Sequence, residues 1–161
     1  MNEVSIDENY LDVIKPALEK SEKEKLPVIS IKIGKKIITG KQTDILTPAS
    51  SVILNAIKVL SKIPDDIKLL SPSVLEPMLK LKKELNNGDR LTLPEVLTAL
   101  SICSATNSMT EKALSNLTKL KDAEAHATYI VDNGDKKTLK GLKVNLTCEP
   151  EYLQSDDIGF E

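Results

Sequence analysis

The chain has little that could stack on bases, chelate a metal or cross a membrane. Its 161 residues include one Phe, three Tyr and no Trp, and 22 basic residues stand against 24 acidic ones, a net charge of −2. Nucleic-acid binding draws on a basic field and on aromatic platforms, so no nucleic-acid partner is expected. No stretch approaches the roughly 20 apolar residues that span a bilayer. Met1 is followed by Asn2, Glu3 and Asp7 rather than by a basic region and an apolar core. A cytoplasmic chain without a membrane partner is the expectation. Histidine occurs once, at 126, and cysteine twice, at 103 and 148. Zinc sites need clustered Cys and His, so no metal is expected. A zinc deaminase is excluded in particular, because neither its His-x-Glu nor its Pro-Cys-x-x-Cys element occurs. The two distant cysteines read as reduced, buried thiols.

What is present suits one globular domain. The hydrophobic share is 40% and the charged share 29%, enough at this length for a packed core. There is no internal repeat, low-complexity segment or long block of like charge. Residues 1–25 read as a helical remnant carrying Tyr10, Leu11, Ile14 and Leu18, followed by a charged linker, Glu19 to Lys25. From Val28 the period changes. Branched residues on both sides of Gly34 predict a β-hairpin. Thr47-Pro48 predicts a cap with proline at the first helical position, and Val52, Ile53, Ala56, Ile57 and Leu60 continue at helical spacing to a stop at Pro64.

Ile67 to Leu70 reads as a short strand, followed by a helix that holds Pro77 in its first turn and ends at Asn86-Asn87-Gly88. The helix from about Pro94 to Cys103 is apolar nearly all round and is expected to be the most buried element. Another helix follows Thr106-Asn107. Ala125 to Val131 alternates as a strand, Asn133-Gly134 reads as a turn, a short helix surrounds Thr138 to Leu142, and Val144 to Thr147 forms the last strand. Helices interleaved with strands predict an α/β domain, a three-layer α/β/α sandwich with a small mixed sheet, over 26–153. An acidic, frayed tail is expected over 154–161.

Few motifs carry chemistry. Gly34 and Gly40-Lys41 miss the phosphate-loop spacing, and Gln42 stands where its Ser or Thr belongs. Thr39, Lys41, Thr43 and Asp44 make a polar run feeding the helix at Thr47, where an anion is welcome. Glu124, His126 and Thr128 fall on one strand face, with a carboxylate placed to orient an imidazole as general base. Arg90, the only arginine, offers a planar fork for carboxylate or phosphate. It and the Thr106-Asn107 loop flank the apolar helix at opposite ends. No cofactor motif is found.

The run Ile38 to Leu46, the pattern Ala49 to Ile57, Arg90-Leu91, the stretch Glu95 to Asn107, Glu124 to Thr128, and Val144 to Thr147 with Pro150 together resemble the C-terminal region of bacterial uncharacterised protein family 0371. The resemblance implies a three-layer α/β/α unit. It also implies a partner, an N-terminal region of the same protein bearing a phosphate-loop-like segment, absent here, which would make this chain a fragment. Where the family usually carries a histidine after its Arg-Leu pair, this chain has Thr92. The expected function is a non-catalytic domain that lends polar side chains to a cleft shared with that region. The alternatives are an enzyme using Glu124, His126, Lys41 and Arg90 on a phosphorylated small metabolite, or a homo-oligomerisation module built on the apolar helix or a sheet edge.

Overall fold

The computed structural model describes residues 2–149, with side chains from residue 12 onward. The domain is α/β, as the pattern predicts. Helix α1 (Asn2–Glu24) precedes the hairpin β1 (Val28–Ile33) and β2 (Lys36–Lys41). Helices α2 (Pro48–Leu60), α3 (Pro72–Glu84), α4 (Leu93–Cys103) and α5 (Ser108–Ser115) follow. A 3-10 turn (Leu117–Leu120) leads to β3 (Glu124–Ala127), α6 (Asn133–Gly141) and β4 (Asn145–Cys148). The strand order is β2-β1-β3-β4. β1 is antiparallel to both neighbours and β3 is parallel to β4. Strands β2, β3 and β4 therefore all point the same way.

The alternation of side chains sorts the sheet into two faces. Ile29 and Ile31 lie with Ala125 and Ala127 on an apolar face, which α2 and α6 cover, α4 packing against both helices. Ser30 pairs with Thr39 on one side and His126 on the other, and His126 with Thr147, so the opposite face is polar. Helix α1 lies on it. The expected linker Glu19–Lys25 is helical up to Glu24, and α1 packs on the sheet: Val13 and Ala17 are fully buried, and the Val13 carbonyl accepts from the Ser30 hydroxyl. Ion pairs between Asp12 and Lys32 and between Glu24 and Lys41 tie the middle and the end of the helix to β1 and β2. The side chains of Tyr10 and Leu11 and the acidic tail 154–161 lie outside what is described.

Several local expectations are corrected. Ile67–Leu70 forms bends, not a strand, although Leu69 and Leu70 enter the core. Pro77 sits in the second turn of α3, because Ser71 caps the helix and Pro72 takes the first position. The lost Pro77 N–H leaves only the carbonyl of exposed Ser73 unpaired, where solvent serves. The most buried helix is α2 rather than α4, since Ile102 of α4 is 51% exposed while Val52, Ile53, Ala56 and Ile57 are closed off entirely. Leu117–Leu120 leaves α5 as a 3-10 turn. Strand β3 stops at Ala127, and Asn133-Gly134 opens α6 behind the cap Asp132 instead of turning.

Glu95 fastens the start of α4. One carboxylate oxygen accepts from the Thr92 backbone N–H at 2.9 Å, the Thr92 hydroxyl at 3.1 Å and the buried Lys82 ammonium at 2.8 Å. Burial pushes the Glu95 carboxyl up, but the hydrogen bonds from Lys82 and Thr92 outweigh it and hold the carboxyl below its ordinary range.

Candidate functional site

Because β2, β3 and β4 run parallel, their carboxyl ends share one edge of the sheet. In open α/β sheets this edge, where chains pass from strand to helix, is where ligands sit. β2 passes into α2 and β3 into α6 here. The start of α4 joins them through a parallel bridge from Leu46 to Leu91, with Leu91 N–H donating to the Ile45 carbonyl at 2.7 Å. Three capping residues, Thr47, Thr92 and Asp132, thus line one cleft of about 290 Å³. Gln42, Arg90 and Tyr129 share its wall.

Three aligned helix starts would make a strong anion site if their N–H groups were open. They are largely closed from within. Asp135, 1% exposed, accepts from Leu93 N–H at 2.7 Å and from the Thr47 hydroxyl, and Asp132 accepts from Asp135 N–H at 3.0 Å. Burial pushes the Asp135 carboxyl up despite those bonds. Burial first, then the charges of Asp135 and Asp132, also pushes the Tyr129 phenol up, so it stays a neutral hydroxyl. Cations answer these carboxylates. Lys82 is committed to Glu95, but Arg90 uses only Nε, which donates to the Thr43 carbonyl at 2.6 Å. Its remaining N–H groups, on a side chain less buried than Lys82, make it the more accessible cation of the cleft among the described residues.

The residues singled out from the sequence separate into groups. Lys41, Thr43, Arg90 and Thr128 come to the carboxyl edge. The Thr43 hydroxyl accepts from Ile45 N–H and Leu46 N–H, shaping the loop, and the Thr128 hydroxyl accepts from Val28 N–H at 3.0 Å. Asp44 is exposed beside them. Thr39 is one strand turn back, on the polar face opposite Ser30. Thr106 and Asn107 stand at the far end of α4, about 16 Å away along an 11-residue helix, and Asn107 caps α5 by accepting from Met109 and Thr110 N–H. Glu124 begins β3 at the opposite edge, next to Asn145.

His126 does meet a carboxylate, though not Glu124. Its Nε2 is 2.6 Å from Glu149 and its Nδ1 2.7 Å from the Thr147 hydroxyl, and the ring is buried. With both nitrogens held, His126 ties β3 to the segment leaving β4. His126→Ala is expected to lower unfolding free energy by about 2 kcal/mol, since it leaves a half-buried carboxylate and hydroxyl without their partner. Urea denaturation checks this.

Sequence reasoning passed over Asp132, Asp135 and Tyr129. The signal was there for the first two: an Asp followed three residues later by an acidic residue is a helix start.

The family model described as "Domain of unknown function DUF1846, C-terminal" matches residues 9–157. A UPF0371 protein of Clostridium botulinum (strain Eklund 17B / Type B) is 42% identical over 94% of this chain and 32% of its own length. The UPF0371 protein of Clostridium tetani (strain Massachusetts / E88) is 37% identical over 94% of this chain and 32% of its own. That of Clostridioides difficile (strain 630) is 39% identical over 89% of this chain and 29% of its own. The chain thus spans about a third of the curated relatives it matches. It belongs to the family of DUF1846 C-terminal domains.

Proposed function

We propose that this domain is the non-catalytic wall of a shared cleft: its carboxyl edge closes over a phosphate or nucleotide held by the N-terminal region of the longer relatives, with Arg90 as the reaching side chain. The observation that carries this reading is Arg90 at the convergence of three helix starts whose own N–H groups are largely taken. Such an edge offers an anion little by itself, but one open guanidinium can complete a site whose other half lies elsewhere. Lys41 and Thr43 stand one loop away and help fix the loop to which Arg90 is bonded. On this reading residues 26–153 form the unit that faces the partner region, and α1 is the connection to it.

The test uses a protein of the relatives' full length carrying this domain. ATP and inorganic pyrophosphate are titrated calorimetrically into the parent and into Arg90→Ala. Loss of charged hydrogen bonds predicts affinity lower by about 10-fold or more, with Arg90→Lys recovering only part because it keeps the charge and loses the fork. Equal affinity in parent and Arg90→Ala rejects the shared cleft.

A further inference from the structure

On the other side of the 41–46 loop from Arg90 lies a second cleft, of about 410 Å³. One wall is a stripe of α2, in which Ser51, Leu54, Asn55 and Lys58 succeed one another at helical spacing. Leu69, Leu70 and, from α3, Leu75 form the facing wall, and Ile45 and Leu46 close the end. The volume falls within the range of small-molecule sites, about 300–1,000 Å³, and such sites pair apolar walls with a few placed polar groups.

One of those groups is Ser51. It is 7% exposed, and its hydroxyl has no hydrogen-bond partner. Its neighbour Ser50 makes the contrast plain, donating to the Leu91 carbonyl at 3.0 Å. Buried hydroxyls are nearly always paired, because an unpaired one costs about 1–3 kcal/mol. Ser51 lines the cleft, and its hydroxyl is an unpaired polar atom closed to solvent while the cleft is empty. At the rim stand Lys58, bonded to the Asp65 carbonyl, and Lys68, which is exposed and has no partner among the described residues. The cleft so combines a mostly aliphatic body, one buried hydroxyl and, at one end, Lys58 and Lys68 beside the single carboxylate of Asp65, a rim of net positive charge.

We infer that this cleft binds an amphiphilic organic acid, with its apolar body along Leu54, Leu69 and Leu75, its acid group at Lys58 and Lys68, and a polar atom on the Ser51 hydroxyl. The apolar body excludes inorganic phosphate as the ligand, and the cationic rim disfavours neutral lipids. The site shares Lys41 and Thr43 of the intervening loop with the nucleotide reading but not Arg90, so its test is separate from that reading.

The probe is 8-anilinonaphthalene-1-sulfonate with the complete 161-residue chain. Its fluorescence should rise and saturate at one probe per chain, and octanoate should displace it about 10-fold more effectively than octan-1-ol, the difference expected of a charged contact. Lys58→Ala with Lys68→Ala should abolish that preference. Ser51→Ala should weaken the probe about 5-fold, the value of one hydrogen bond of about 1 kcal/mol. Removing an unpaired buried hydroxyl should also leave the melting temperature equal to the parent's or above it. Leu75→Arg, at a half-exposed position, should block binding with the fold kept. Three results would each overturn the assignment: no saturable binding, octanol as effective as octanoate, or a Ser51→Ala chain that binds unchanged or melts lower than the parent.

Discussion

Gly40→Ala is expected to lower the melting temperature by on the order of 10 °C, the equivalent of about 3 kcal/mol in a domain of this size. Gly40 lies in β2 where α2 crosses it most closely. A Cβ there would stand 2.2 Å from the Val52 nitrogen and 2.5 Å from its Cα, both backbone atoms. No rotamer change relieves a contact between two backbones, so strand and helix must part and open the core around Val52 and Ile53. Gly34→Ala supplies the contrast. Gly34 has φ of 62° in the hairpin turn and open space around it, so a methyl there meets only backbone preference, about 1 kcal/mol. Differential scanning calorimetry of the two variants makes the comparison. A G40A chain as stable as G34A would mean that β2 and α2 separate without cost, against the packing described.

Asp135→Ala should cost a comparable amount, about 3 kcal/mol, by stranding the buried Leu93 N–H and leaving a cavity at the meeting point of α2, α4 and α6, the Thr47 hydroxyl falling back on Ser50. Asp135→Asn should not. It keeps an acceptor for Leu93 N–H and removes a charge that burial disfavours. The pH dependence follows from the direction of the Asp135 shift. Its folded carboxyl is raised above the ordinary value of 3.8, so the folded state holds its proton more tightly. That contribution to stability is full below the ordinary value and is lost as pH rises through the raised one. Relative to the parent, Asp135→Asn should therefore gain stability as pH rises from about 4 toward neutrality. Glu95, whose carboxyl is held low, acts in the opposite sense and cancels between the two chains. Urea denaturation across that range decides, and a parent that gains on Asp135→Asn as pH rises would show that folding favours the carboxylate.

Where structure depends on near neighbours, it was legible. The hairpin follows from branched residues on both sides of Gly34, and α2 from Thr47-Pro48 and a clean helical period. Elsewhere the deciding contact is remote. Tyr129 and Val131 continue the alternation of β3, yet pairing ends at Thr128 because β1 can supply nothing beyond Val28: the next residue, Pro27, has no N–H, and its carbonyl accepts from Gln42. Leu69 and Leu70 are as apolar as a strand demands, but the sheet leaves no edge beside them and they pack between helices. The partner of His126 depends on β4 lying parallel to β3, which places Glu149 two residues beyond Thr147 on the same face. Parity along β4 hints at it; only the pairing makes it visible. For the cleft, Arg90 stands out in the sequence as the sole arginine and Thr43 as part of a polar run before a helix, whereas Asp135 matters through Leu93, a backbone group with no signature of its own.

The central position of β1 also sets an order of events as the chain is made. Ile29 finds Gly40 within its own hairpin, but its other edge must wait for Ala127. During synthesis at about 5–20 residues per second, the hairpin and its helices emerge well before the partner strand does. For that interval one side of β1 is an open ladder of branched residues, the kind of edge that recruits strands from other chains. A nascent chain stalled or cut between α5 and β3 would keep that edge permanently. The insertion of four helices between two adjacent strands thus makes the domain slow to close and most adhesive just before it is complete.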